Sequence, residues 1–308
     1  MNMFSTFGTV LRFTPSSTRA FPHTSRRIIH SYRLQESYPK RLRDFDLKGG
    51  VYIVTGGAQG LGLCLAEGLV ESGGKVYCLD RLPKPNQEYR EAESRILPEF
   101  GGSLSYKQVD VRDSSNLNSV IMSIADEHNG IDGLIAAAGV QKVCDAVNYP
   151  PEDIADMLSI NYTGVFLTAT ACARAMFKYK KRGSMVLIGS MSGLVANKGL
   201  ISPVYNSSKA AVLQLTRNLA MEWGRVDPKT GEGGIRVNSL SPGHIVTPMV
   251  EKNFEDDPGL KELWEKENML GRLSKPEEFK GAALFMLSRA SSFMTANNLV
   301  IDGGHTAW

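Results

Sequence analysis

No stretch of these 308 residues stays apolar for the roughly 18 to 20 positions a membrane-spanning helix needs, because polar or charged residues break every hydrophobic run. The chain is therefore expected to be soluble, with no membrane partner. Cysteine is scarce: Cys64, Cys78, Cys144 and Cys172 form no C-x-x-C pair and have no histidine at ligand spacing. That excludes a disulfide framework and a structural metal site from the expectation and points to a reducing compartment. Acidic residues are absent from residues 1–35, which carry Arg12, Arg19, Arg26, Arg27 and Arg33. The net charge of +3 for the chain, less +5 for that segment, leaves −2 for the remainder, so the body offers no basic face to nucleic acid.

The opening segment is rich in Ser, Thr and Arg, and places Met3, Phe4, Phe7, Val10 and Leu11 at helical spacing before Pro15. This is the composition of a mitochondrial transit peptide, and Arg26, Ile28 and Ser31 suit a processing signal that cuts near Gln35. The alternative is a disordered segment with no address, in a cytoplasmic protein. The chain is thus divided into residues 1–45, a targeting or disordered segment, and a domain over 46–308.

From Leu47 onward, short runs of Val, Ile and Leu alternate with longer helical patterns, the signature of β-α-β units. Strands are predicted at Val51–Thr55, Lys75–Asp80, Leu104–Asp110, Gly133–Ala138, Ser184–Ser190, Ile235–Ser239 and Asn298–Ile301. Helices are predicted near Gly62–Glu71, Ser115–His128, Tyr162–Tyr179, Val204–Trp223 and Pro276–Leu287. The fold class is α/β: a single doubly wound parallel sheet of about seven strands with helices on both faces. Pro83–Asn86 and Asp227–Gly234 read as loops. The charged stretch Glu251–Glu267 reads as a mobile lid or a solvated surface helix.

Directly after the first strand comes Thr55-Gly56-Gly57-Ala58-Gln59-Gly60-Leu61-Gly62, leading into a helix. Missing β-carbons let backbone approach a pyrophosphate, whose charge is met by the N–H groups and dipole of the helix start. Asp80 ends the second strand, where a carboxylate would accept hydrogen bonds from ribose hydroxyls and repel a 2′-phosphate. With neutral Gln59 in the turn this favours NAD; Arg81 leaves NADP open.

Reduction of a ketone by hydride needs a proton donor for the developing alkoxide, and the reverse needs a base. A tyrosine serves only where a nearby cation favours its phenolate. Lys209 stands four residues after Tyr205, on the same face of a helix. Ser190, at the end of a strand-like run, offers a hydroxyl to the substrate oxygen, and Ser192 lies two residues on. Asn161, which interrupts an apolar pattern, reads by itself as a helix cap.

Together these residues resemble the classical short-chain dehydrogenase/reductase family, over nearly all of Leu47 to Trp308. The resemblance implies a Rossmann-type fold and catalytic Asn161, Ser190, Tyr205 and Lys209. For the cofactor it implies Thr55, Gly56, Gly60, Leu61, Gly62, Asp80, Asp110, Val111, Ala138, Gly139, Tyr205, Lys209, Ile245 and Thr247; for substrate, Ser190, Ser192 and Tyr205. Pro242-Gly243 matches the family's motif after the sixth strand. Three features depart from its pattern: Ala136-Ala137-Ala138-Gly139 stands where the family has Asn-Asn-Ala-Gly, Ser190 lies fifteen residues before Tyr205 where thirteen is commoner, and the 227–234 loop is long. More narrowly, Ile188 to Gly193, Tyr205-Asn206 and Ser239 to Gly243 are similar to fungal polyol dehydrogenases acting on arabinitol, mannitol or sorbose. This implies a pentitol or hexitol and its ketose as substrate and product, and a homodimer or homotetramer. Weighed against it are a mitochondrial 3-oxoacyl-thioester reductase and a non-catalytic scaffold. His244 and His305 receive no catalytic role.

Overall fold

A computed structural model describes residues 42–308; nearly all of the proposed targeting segment lies outside them. The alternation of short apolar runs and helical patterns produces seven strands: β1 (Val51–Thr55), β2 (Lys75–Asp80), β3 (Ser103–Gln108), β4 (Gly133–Ala136), β5 (Ser184–Ile188), β6 (Arg236–Pro242) and β7 (Asn298–Ile301). They form one parallel sheet in the order β3-β2-β1-β4-β5-β6-β7. Its order reverses between β1 and β4, the place where a crevice opens beyond the strand ends.

The helices are α1 (Gly60–Glu71), α2 (Gln87–Ser94), α3 (Ser114–His128), α4 (Pro151–Leu158), α5 (Val165–Lys178), α6 (Pro203–Trp223), α7 (Pro248–Asp256), α8 (Leu260–Glu267) and α9 (Lys280–Leu287). Strand β1 is buried on both faces because its side chains alternate between two cores: Val51 and Ile53 pack with α3, α5 and α6, and Tyr52 and Val54 with α1 and α9. Burial on both sides explains why the central strands read as continuous apolar runs.

Predicted boundaries shift where the chain leaves the sheet. β3, β4 and β5 stop at Gln108, Ala136 and Ile188, two residues short of the expected ends, while β6 runs on to Pro242, which pairs with Ile301. The residues beyond β3, β4 and β5 peel away to line the crevice, so side-chain pattern alone overextends those strands. Two helices lie outside the sequence expectation. Polar α2 is started by Asn86, whose Oδ1 accepts from the Tyr89 N–H at 2.9 Å; α4 opens on Pro151 with Glu152 and Asp153 in its first turn. The expected helix start at Tyr162 is displaced: Ser159–Gly164 is a π-helical turn joining α4 to α5, and Pro276–Phe279 is a 3-10 turn before α9. The 227–234 loop closes on itself, the Asp227 N–H donating to Glu232 O at 2.8 Å and the Gly231 N–H to Asp227 O at 2.8 Å.

Candidate active site

The turn after β1 is shaped by its glycines. Gly56 has φ +66°, and a β-carbon on Gly62 would stand 2.2 Å from Gly56 O, so neither position accepts a side chain. Gly60 has φ +55°, and nothing lies within 4 Å of where its β-carbon would be. The helix start is thus open to a ligand. Its N-cap, Gln59, makes no side-chain cap; the Gly60 N–H donates to Glu88 Oε2 at 3.2 Å, leaving those of Leu61 and Gly62 for an anion. Across the turn, Asp80 accepts from the Ala58 N–H at 3.2 Å and from the Leu82 N–H at 3.3 Å, which holds its carboxylate at the end of β2. These features fit a dinucleotide: a backbone cradle for phosphate and a fixed carboxylate for ribose hydroxyls.

A cavity of about 420 Å³ extends from this turn across the ends of the central strands. All of the site residues expected from the sequence line it except Thr55 and Asn161. Thr55 lies beneath the wall, its Oγ1 accepting from the Ala138 N–H at 3.4 Å. Asp110 is gripped by Arg112, with contacts of 3.0, 3.1 and 2.6 Å, and the guanidinium also reaches Asp156. That pairing holds the Asp110 carboxyl below the ordinary range. Arg81 lines the cavity beside Asp80.

Ser190 leaves β5 in extended conformation and lines the cavity together with Tyr205. Ser192 also lines the cavity and donates its backbone N–H to Ser190 Oγ at 3.1 Å. The approach depends on Gly193: a β-carbon there would meet Ala210 N and Lys209 C at 2.8 Å, because the turn after β5 lies directly on the backbone of α6. Lys209, one helical turn after Tyr205, is buried; its ammonium donates to Ile188 O at 2.9 Å and sits 5.7 Å from the Tyr205 ring centre. Burial without a paired anion lowers its pKa to about 8. Burial also raises the Tyr205 phenol, and the Ser190 hydroxyl works against that rise.

Asn161 is not a helix cap. It lies fully buried inside the π-helical turn, where its Nδ2 donates to Val140 O at 2.9 Å and to Ser208 Oγ at 3.1 Å, and its Oδ1 accepts from the Val140 N–H at 2.9 Å. Ser208 passes the link to Tyr205 O at 2.7 Å. One amide therefore ties the loop after β4 to the turn of α6 that carries the tyrosine, consistent with the use of π turns at functional sites. This bracing operates in a chain where Ala137-Ala138-Gly139 directly follow β4.

The region read as a lid or a solvated helix is neither a bare loop nor fully solvated. α8 buries Trp264, which lines the cavity and stacks on His244 with ring centres 3.6 Å apart and planes within 6°. Leu260 and Trp264, four apart and both buried, were the sequence signal for this inward face. Gln141 and Asn197 also line the cavity and escaped the sequence reading, since single polar residues in loops carry no periodic pattern.

A family model described as enoyl-(acyl carrier protein) reductase matches residues 56–306. The chain is 40% identical over 93% of its length to the short chain dehydrogenase/reductase notP′ of Aspergillus versicolor, all of which is covered. It is 34% identical to the ribulose-forming D-arabinitol 2-dehydrogenase of Scheffersomyces stipitis, over 88% of this chain and 99% of the relative. A crystal structure of a short-chain type dehydrogenase/reductase from Mycobacterium marinum superposes with a TM-score of 0.78 at 34% identity, over 86% of this chain and 99% of that one. This chain belongs to the short-chain dehydrogenase/reductase family. It is an oxidoreductase of that family, acting on alcohol groups with NAD or NADP.

Proposed function

We propose that this enzyme interconverts an acyclic polyol, a pentitol or hexitol, and its ketose, with NAD as the preferred cofactor. The observation that carries the reading is the junction of Ser190, Tyr205 and Lys209 in a cavity whose wall also presents the polar side chains of Gln141, Asn197 and His244. Likeness to a D-arabinitol dehydrogenase supports the substrate class. Asp80, fixed at the end of β2, supports NAD, and Arg81 beside it favours a 2′-phosphate.

When bound, the nicotinamide supplies the acceptor or donor of hydride. The residues of this chain manage the oxygen and its proton. Ser190 holds the substrate oxygen by hydrogen bonding. Tyr205 takes the hydroxyl proton during oxidation and returns it during reduction. Lys209 provides the cation that favours the phenolate, and Asn161 positions Tyr205 through Ser208.

Initial rates of nicotinamide absorbance change, for arabinitol, mannitol, sorbitol and xylitol against NAD and NADP and for an acetoacetyl thioester against both reduced forms, test the proposal. Polyol oxidation with NAD is expected. Tyr205→Phe should lower turnover by about a thousandfold or more with cofactor binding retained, and Asp80→Ser should shift preference toward NADP. Thioester reduction alone would overturn the substrate class.

We further propose a mitochondrial location, supported by the five arginines and absent acids of residues 1–35, and a homo-oligomeric state, supported by resemblance to the family.

A further inference from the structure

Among the described residues, seven buried polar side-chain atoms have no hydrogen-bond partner, and only two belong to residues lining the cavity: His244 Nε2 and Trp264 Nε1. These are the two rings stacked on one another. His244 is 7% exposed, yet neither of its ring nitrogens has a partner in the protein. Nε2 is sealed; Nδ1 is the nitrogen left to a ligand. The ring cannot easily turn away, because Trp264 covers one face and His305 stands edge-on at 5.3 Å and 83°. A buried polar group left unpaired is costly, and here the protein spends packing from β6, α8 and the chain end to hold one in place.

We propose that His244 is a specificity-determining residue, binding through Nδ1 a substrate hydroxyl on a carbon other than the one oxidised. This rests on the polyol reading above. Burial and the neighbouring His305 keep the imidazole's pKa down to about 3, so it meets the substrate neutral, as a hydrogen-bonding group and not as a proton-transfer group. Sites built to bond a hydroxyl discriminate strongly against analogues lacking it, because their own polar group is then stranded. Trp264 serves as the platform that fixes the imidazole plane.

The test compares kcat/KM for reduction of dihydroxyacetone and of acetone, which differ in the hydroxyls beside the carbonyl. His244→Phe keeps a ring against Trp264 and removes both nitrogens; His244→Gln restores a hydrogen-bonding group. NADH binding, followed by fluorescence, identifies folded protein. The dihydroxyacetone-to-acetone ratio should fall about tenfold in His244→Phe, mainly through KM, and recover in part in His244→Gln. An unchanged ratio, or parallel losses on both ketones, overturns the assignment. Wild-type protein that turns over no polyol but loses the ratio on substitution would sink the polyol reading and leave His244 standing; polyol turnover with an unchanged ratio would do the reverse. Wild-type protein inactive on both ketones overturns the His244 assignment, and inactive on the polyols as well it overturns the two together.

Discussion

Lys209 shows how catalysis and stability pull against each other in a single residue. Its ammonium is buried with one carbonyl partner, and its pKa falls from 10.5 to about 8. Between those values the unfolded chain binds more protons than the folded one, so folding stability rises as pH increases through about 8 to 10.5. Below that window the full cost of burying the charge is present. Lys209→Met should therefore raise the unfolding free energy at pH 7 by up to about 3 kcal/mol, read as a higher urea midpoint, with the advantage shrinking toward pH 10.5 while activity collapses. A variant less stable than the parent at pH 7 would show that the bond to Ile188 O outweighs the desolvation of the ammonium. The pattern Tyr205-x-x-x-Lys209 made the pairing legible in sequence; the burial that sets its energetics was not, since it comes from β5 and the turn after it.

Among the elements, the helical stretch from α4 to α5 decides most. Its middle turn is π-helical, and that widening sets Asn161 inward with three hydrogen bonds. Asn161→Ala strands the Val140 N–H and carbonyl and releases Ser208, a loss of about 3 kcal/mol by the usual cost of unpaired buried groups. That should lower Tm by about 5 to 10 °C and reduce kcat more than it affects cofactor binding; thermal unfolding and steady-state kinetics check both. A drop in Tm without a selective loss of kcat would reduce Asn161 to a structural brace. Polarity at position 161 was visible in the sequence, but a cap and a buried bridge look alike there, because the difference lies in what Val140 and Ser208 bring from 21 and 47 residues away. α8 gives the same lesson: its charged face dominates the pattern, and only packing shows that Trp264 is turned into the cavity.

For the whole molecule, the complete seven-stranded sheet and the cavity lie within residues 42–308, and no helix of the described residues is long and apolar enough to cross a membrane. Protein lacking residues 1–41 should keep the kcat/KM of the full chain within about twofold, since every cavity residue named above lies within 42–308. In cells, a fluorescent fusion of the full chain should enter mitochondria and the shortened fusion should stay in the cytosol. Identical distributions for the two would overturn the targeting role, and lost activity would show that the leading segment supports the fold.

The α/β class, the seven strands and the identities of the glycine turn, Asp80, Ser190, Tyr205 and Lys209 could be read from the chain alone, because local periodicity and short motif spacings carry them. What the tertiary structure decided is of another kind. It tied the Ser192 N–H to Ser190 Oγ, changed Asn161 from a cap to a bridge, and stacked His244 on Trp264. Each of these depends on contacts between segments distant in sequence, where the folded sheet sets distance and burial and no local pattern records them.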